Sequence, residues 1–219
     1  MNEPYPISLI LKDRRVAVIG GGEVAERKIM SLLDTGAKIT VIAPEVTNTI
    51  KSLAEEKRLC LKQRDFAESD GEGSFLVFVA TNSNKLNRKV SRMARGKGFW
   101  VNCVDVPEEC DFYVPSFFRR GSLTLAVSTG GKIPALAKKV NRELQRAFGE
   151  VFAEYVDLLA KVRENIIKER SFDSQKKKEL LEALMGSRLL DLLKEGKRQE
   201  ALTVIRDFLK ENFIKELKV

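Results

Sequence analysis

Short uninterrupted apolar runs alternate with stretches of helical spacing through the first half of the chain. The run Val16-Ala-Val-Ile19 is apolar and β-branched, as a parallel strand buried on both faces should be. Apolar residues then recur at Val24, Ile29, Leu32 and Leu33, which predicts a helix over 23–34 that stops at Gly36. Further strands are predicted over 38–43, 59–64, 74–80 and 99–104, with helices over 46–57 and 82–95, the second capped by Asn82 or Ser83. A short strand over 6–11 and a polar turn over 12–15 precede them. This β-α-β-α-β alternation predicts an α/β fold whose N-terminal part is a Rossmann-like, doubly wound parallel sheet. The pattern changes after residue 105. Strands are predicted over 111–116 and 123–129 around a turn at 119–122, then a helix over 135–148. From Val151 onward the chain reads as helical, with Val151, Phe152, Tyr155, Leu158, Leu159, Val162 and Ile166 on one face and breaks near 171–174, Gly186 and Gly196. Three parts result: a nucleotide-binding domain over 1–113, a mixed strand-helix segment over 114–150 and an all-helical C-terminal part over 151–219.

The turn after the first buried strand carries candidate chemistry. Gly20, Gly22 and Ala25 match G-x-G-x-x-A, with Gly21, Glu23 and Val24 between them. The first glycine permits a tight turn, the second lets the backbone approach a pyrophosphate, and the small third residue lets the helix pack on the strand. Free N–H groups and the positive end of the helix then hold the phosphate charge. The motif follows a strand, opens an amphipathic helix and leads to a second strand, the context that a dinucleotide site requires. The second strand ends at Pro44-Glu45, so Glu45 is the nearest carboxylate for ribose hydroxyls, and no arginine stands at that strand end to favour a 2′-phosphate. Ala80 and Thr81 close another predicted strand at its carboxyl end, where ligands of such sheets sit.

Composition narrows the function classes. With 43% hydrophobic and 32% charged residues in 219, the chain reads as a globular protein with a sizeable core. No apolar run is long enough to span a membrane, and the start shows no secretory signal. Cys60, Cys103 and Cys110 form no C-x-x-C and read as reduced core or loop thiols, so a cytoplasmic location is expected. There are no histidines, which excludes serine-histidine triads and histidine metal sites within the chain; no metal site is expected. The net charge of +8 is uneven: residues 114–150 hold 7 Lys and Arg against 2 Asp and Glu, while the flanking parts are nearly balanced. A basic segment of that size suits nucleic acid, a membrane surface or a small polyanion. It lacks the interleaved aromatics of a nucleic-acid platform, and Lys176-Lys-Lys178 reads as a solvated helix start.

Several segments together resemble one family. They are Leu9-Ile-Leu-Lys-Asp13, the glycine turn through Lys28, Phe78-Val-Ala-Thr-Asn82, Val101-Asn-Cys-Val-Asp-Val-Pro107, Phe112-Tyr-Val-Pro-Ser116 and Leu125-Ala-Val-Ser-Thr-Gly-Gly-Lys-Ile-Pro134. In this order, across roughly residues 4–165, the chain is similar to precorrin-2 dehydrogenase, the dehydrogenase-chelatase module of siroheme synthase. The resemblance implies NAD-dependent oxidation of precorrin-2, a tetrapyrrole polycarboxylate, to sirohydrochlorin. It also implies a homodimer with the middle segment at the interface, and in bifunctional members the insertion of Fe2+ as a second substrate. It places the essential aspartate on Asp105 and cofactor contacts on Gly20 to Val24, Pro44 and Glu45. The uroporphyrinogen methyltransferase domain fused to this module in some members is not expected within these 219 residues.

Residue chemistry agrees. Loss of hydride from a reduced pyrrolic ring also needs loss of a proton, for which Asp105 is a candidate general base; the alternative is a turn aspartate ahead of proline. Candidate substrate contacts are Asn102, Ser116, Ser128, Thr129, Gly130, Gly131 and Lys132, with Arg119, Arg120 and Lys138 as further partners for carboxylates. Ser128 and Thr129 either bond a carboxylate or cap the next helix, and Asn102 is either a ligand contact or a structural amide. Two other readings stand beside the dehydrogenase: a bifunctional enzyme that is also a ferrochelatase, and a nucleotide-sensing regulatory or ion-transport subunit.

Overall fold

A computed structural model describes residues 4–104, 106–212 and 214. The chain forms two compact units, one up to Val114 and one from Pro115 onward.

The first unit runs β1 (Arg15–Ile19), α1 (Glu23–Leu32), β2 (Lys38–Ile42), α2 (Asn48–Glu55), β3 (Cys60–Lys62), β4 (Leu76–Val79), α3 (Asn84–Gly96) and β5 (Trp100–Cys103). Its five strands are parallel in the order β3-β2-β1-β4-β5. The period of two sorts the apolar runs onto both faces. Val16, Val18, Ile39, Val41, Leu76 and Phe78 meet Ala25, Ile29 and Leu32 of α1 and Ile50 and Leu53 of α2. Ala17, Ile19, Ile42, Val77, Val79 and Val101 meet Val90 and Ala94 of α3. The strand order reverses between β1 and β4, so a crevice opens at their carboxyl ends, the place where such sheets take ligands.

Local chemistry sets the element ends. Leu33–Thr35 tightens into a 3-10 turn before Gly36, whose φ of +72° ends the segment. Thr47 caps α2 through the Ile50 amide, and Ser83, not Asn82, caps α3 through the Leu86 amide. Two expected strands are not formed. Residues 6–11 pair with no strand: Pro4 and Pro6 lack amide donors, Ile7 and Ile10 are exposed, and only Leu11 is buried. Residues 111–115 are irregular because they bind β5 largely through side chains: the Asp111 carboxylate accepts from the Val101 amide and the Phe112 carbonyl accepts from Asn102.

The second unit starts with the antiparallel hairpin β6 (Ser116–Arg120) and β7 (Leu123–Val127), so the turn sits at Gly121-Ser122 and the first strand lies later than the pattern predicts. It continues with α4 (Pro134–Ala147), α5 (Val151–Lys168), α6 (Ser174–Met185), α7 (Leu189–Lys194) and α8 (Arg198–Glu211). Leu158, Val162, Ile166, Leu184, Leu189, Ala201, Ile205 and Leu209 form its core. Gly121 has a φ of +54°, and a Cβ there would stand 3.4 Å from the Ala153 backbone, so the hairpin turn packs closely on α5. Residues 115–150 therefore share one unit with the helices that follow. No helix among the described residues is long and apolar enough to cross a membrane.

Candidate functional site

The glycine turn packs against two strand ends and leaves one face open. Gly20 has a φ of +125°, and a Cβ there would lie 2.2 Å from the Ala80 carbonyl oxygen. A Cβ on Gly21 would lie 2.1 Å from the Glu45 carbonyl oxygen and 2.6 Å from Val46 Cγ1. The Gly20 amide donates to the Ile42 carbonyl at 2.9 Å, and the Thr47 amide donates to the Gly21 carbonyl at 3.0 Å. These contacts lock the turn onto the ends of β2 and β4. Gly22 differs: a Cβ there would meet nothing within 4 Å. It stands at the N-cap of α1 and supplies no side-chain cap. The Glu23, Val24 and Ala25 amides donate to no other described group, while Ala25 is fully buried against the core. Open space beside Gly22, next to three amides without a hydrogen-bond partner at a positive helix end, fits a pyrophosphate.

Pairing brings further groups to this edge. Pro44 and Glu45 are exposed on the turn after β2. Residues 62–64 lie beside that turn, since the Ala43 amide donates to the Lys62 carbonyl at 3.3 Å and Gln63 Nε2 donates to the Pro44 carbonyl at 3.4 Å. Asp70 is buried there. It accepts both Arg64 guanidinium nitrogens at 2.6 Å, Lys62 Nζ at 3.0 Å and the Ala67 amide at 2.8 Å. The Arg64 hydrogen bonds hold its carboxyl well below the usual carboxylate range, against the opposing effect of burial. With the folded pKa below the unfolded one, its stabilisation is complete above about pH 4 and is lost as pH falls further. The melting temperature should hold from about pH 8 to pH 5 and drop below about pH 4, and the drop should be shallower in Asp70→Asn, as followed by circular dichroism.

At the end of β4, the Ala80 amide donates to the Ile19 carbonyl at 2.8 Å and Thr81 is held by Asn87 of α3, which is 2% exposed. Asn87 Oδ1 accepts from the Thr81 amide and hydroxyl at 3.1 and 2.6 Å, and its Nδ2 donates to the Thr81 carbonyl at 3.0 Å. Asn87→Ala should cost about 1–3 kcal/mol in urea denaturation, because it leaves the half-buried Thr81 amide and carbonyl without their partner. An asparagine on a polar helix start carries no sequence signal for this role; only the strand-helix packing reveals it.

At the end of β5, Asn102 Nδ2 donates to the Phe112 carbonyl at 2.9 Å, so this amide ties β5 to the segment behind it. Asp105 lies outside the described residues. Its flanks are firmly held: the Val104 amide donates to the Val79 carbonyl at 2.9 Å, and Val106 is 2% exposed. Three arginines of α3 brace the acidic segment that follows, with Arg88 to Glu108 at 2.7 Å, Arg92 to Glu109 at 2.7 Å and Arg95 to Asp111 at 2.9 Å. Cys110 Sγ lies 3.2 Å from the Cys103 amide and 3.1 Å from its carbonyl oxygen. Burial pushes both thiols up, which leaves them poor nucleophiles and suits packing residues.

The other candidates belong to the second unit. Ser116 Oγ accepts from the buried Asn141 at 2.8 Å. Ser128 Oγ accepts from the Gly130 amide at 3.1 Å and Thr129 Oγ1 accepts from the Ile133 amide at 3.1 Å, so both hydroxyls shape the turn into α4. Gly130 and Gly131 have φ of +60° and +79°, and Lys132 is exposed beyond them. Arg120 is engaged structurally by the Phe148 carbonyl at 3.0 Å and by Glu150 at 3.3 Å, while Lys132 and Lys138 face solvent. Among the described residues, no group of three or more Cys, Asp or Glu is placed to hold a metal ion.

Known proteins share this arrangement. A family model described as "Putative NAD(P)-binding" matches residues 7–116. The siroheme synthase of Methylobacillus flagellatus is 32% identical over 206 residues, covering 93% of this chain and 44% of that protein. The siroheme synthase of Methylococcus capsulatus is 34% identical over 200 residues, covering 91% of this chain and 42% of that protein. The chain thus spans less than half the length of these curated relatives. A solved structure of SirC, a precorrin-2 dehydrogenase, superposes with a TM-score of 0.75 at 30% identity and covers 93% of this chain and 100% of that one.

Proposed function

Because the chain belongs to the NAD(P)-binding family of precorrin-2 dehydrogenases, we propose that it oxidises precorrin-2 to sirohydrochlorin in siroheme biosynthesis, with NAD+ as hydride acceptor. The observation that carries this reading is the glycine turn of a 3-2-1-4-5 parallel sheet, open only beside Gly22, next to the three free amides of α1. With a dinucleotide held there by its pyrophosphate, the nicotinamide ring would supply the acceptor for one hydride from the substrate.

The chain's own residues supply the rest. The amides of residues 22–25 hold the pyrophosphate, with Gly20 and Gly21 setting their position. Pro44 and Glu45 border the ribose, and Ala80 and Thr81 line the edge next to the switch point. Removal of hydride must be matched by removal of a proton, and Asp105 takes that proton as general base. The turn over 128–132, with Ser128, Thr129, Gly130, Gly131 and Lys132, is assigned to the substrate, with the exposed Lys132 and Lys138 facing its carboxylates, while Asn102 and Ser116 act through their bonds to Phe112 and Asn141. The two-stranded sheet of the second unit leaves both edges unpaired among the described residues, and a homodimer would cover them.

The test is turnover of precorrin-2 with NAD+ by the purified chain, followed by NADH absorbance. Formation of NADH and sirohydrochlorin in equal amounts is the expected result. Absence of NADH with competent substrate would overturn the assignment and bring forward a nucleotide-sensing role.

A further inference from the structure

We propose that Asp70 sets the preference for NAD+ over NADP+ by holding Lys62 and Arg64 away from the position of a ribose 2′-phosphate. This rests on the nicotinamide reading above and deepens it. Enzymes of this architecture accept a 2′-phosphate through an arginine near the end of the second strand. No lysine or arginine lies within residues 39–50, and an exposed carboxylate, Glu45, stands on the turn instead. The tertiary structure nevertheless brings two cations beside that turn. The pairing of β2 with β3 puts Lys62 and Arg64 there, fixed by the Ala43 amide on the Lys62 carbonyl and by Gln63 on the Pro44 carbonyl.

What these cations do depends on Asp70. Its side chain is 1% exposed, against 41% for Lys62 and 46% for Arg64. Its Oδ2 accepts from Arg64 Nη1, and its Oδ1 accepts from both Arg64 Nη2 and Lys62 Nζ. The Ala67 amide also donates to Oδ2, so four donors meet a carboxylate with about four acceptor sites. Asp70 and the Asp65 carbonyl together use three of the five guanidinium N–H donors, so the end-on fork is filled, the charge is already paired and the group is held from turning toward a second anion. The anion is also held in the charged form at every ordinary pH. An incoming 2′-phosphate would have to compete with a preformed, buried partner and would meet Glu45 as well. The ribose diol of NAD+ makes no such demand.

The test is calorimetric titration of the purified chain with NAD+ and with NADP+. The wild type should bind NAD+ at least about tenfold more tightly than NADP+. Asp70→Asn should free the guanidinium and tighten NADP+ about tenfold, with NAD+ within about twofold, and adding Arg64→Gln to that variant should remove the gain. A folded Asp70→Asn with an unchanged ratio overturns the proposal. Should Asp70→Asn not fold, Arg64→Gln in the wild type decides the matter. The proposal requires both affinities to stay within about twofold, whereas a tenfold loss of NADP+ alone would show Arg64 already serving the phosphate. Failure of the wild type to bind either nucleotide would overturn the cofactor reading itself, an outcome distinct from NAD+ binding with an immobile ratio.

Discussion

Asp105→Asn should lower kcat for NADH formation by about two to four orders of magnitude while NAD+ affinity stays within about twofold. The amide keeps the size of the side chain and cannot accept a proton, so the variant isolates the basic function. Oxidation of a reduced tetrapyrrole as hydride plus proton cannot proceed to sirohydrochlorin while the proton remains. Asp105 follows β5, whose carboxyl end borders β4 in the half of the sheet beyond the switch point. The chain on either side is held by the Val104 amide, by buried Val106 and by the arginines of α3 on Glu108, Glu109 and Asp111. A general base needs such anchoring, because a small displacement of the reacting groups costs much of the rate. Steady-state kinetics beside calorimetric binding would check the expectation. A variant retaining more than about a tenth of the wild-type rate would place the base elsewhere.

Gly21→Ala and Gly22→Ala should fail in opposite ways. At Gly21 the new methyl would stand 2.1 Å from the Glu45 carbonyl oxygen, so backbone must move. Overpacking of this kind costs about 1–3 kcal/mol, and the rigidity of the obstructing backbone puts it at the upper end. For a chain of this length that lowers the melting temperature by about 2–4 °C for each kcal/mol. At Gly22 the backbone has a φ of −81°, ordinary for alanine, and the methyl would meet nothing within 4 Å. Gly22→Ala should therefore melt as the wild type does. Yet the methyl would occupy the space beside the free amides of α1, and NAD+ affinity should fall by about tenfold or more. Unchanged NAD+ binding in a folded Gly22→Ala would remove the pyrophosphate from this turn.

Much of the first unit was legible as sequence because its signals are local. An uninterrupted β-branched run such as Val16-Ala-Val-Ile19 has few alternatives to a strand buried on both faces. Gly20 marks the strand-to-helix turn through a φ of +125° that other residues resist, and Gly22 and Ala25 follow it at the motif's fixed spacing. The helical breaks at Gly186 and Gly196 were visible for the same reason, being read from single residues and spacing. The segments 6–11 and 111–115 misled because apolar content alone does not supply a pairing partner: one begins with Pro6, and the other is held by the side chains of Asp111 and Asn102.

By itself, then, the sequence determined the parallel α/β unit, its glycine turn, the helical character of the C-terminal part and the family, because each is carried by residues close together in the chain or by motifs in order. Tertiary structure alone decided which distant groups meet. Strand pairing set Lys62, Arg64 and Asp70 beside Pro44, helix packing gave Thr81 its clasp from Asn87, and the turn's own packing distinguished closed Gly21 from open Gly22. Such meetings depend on strand order and register, which no spacing along one segment encodes.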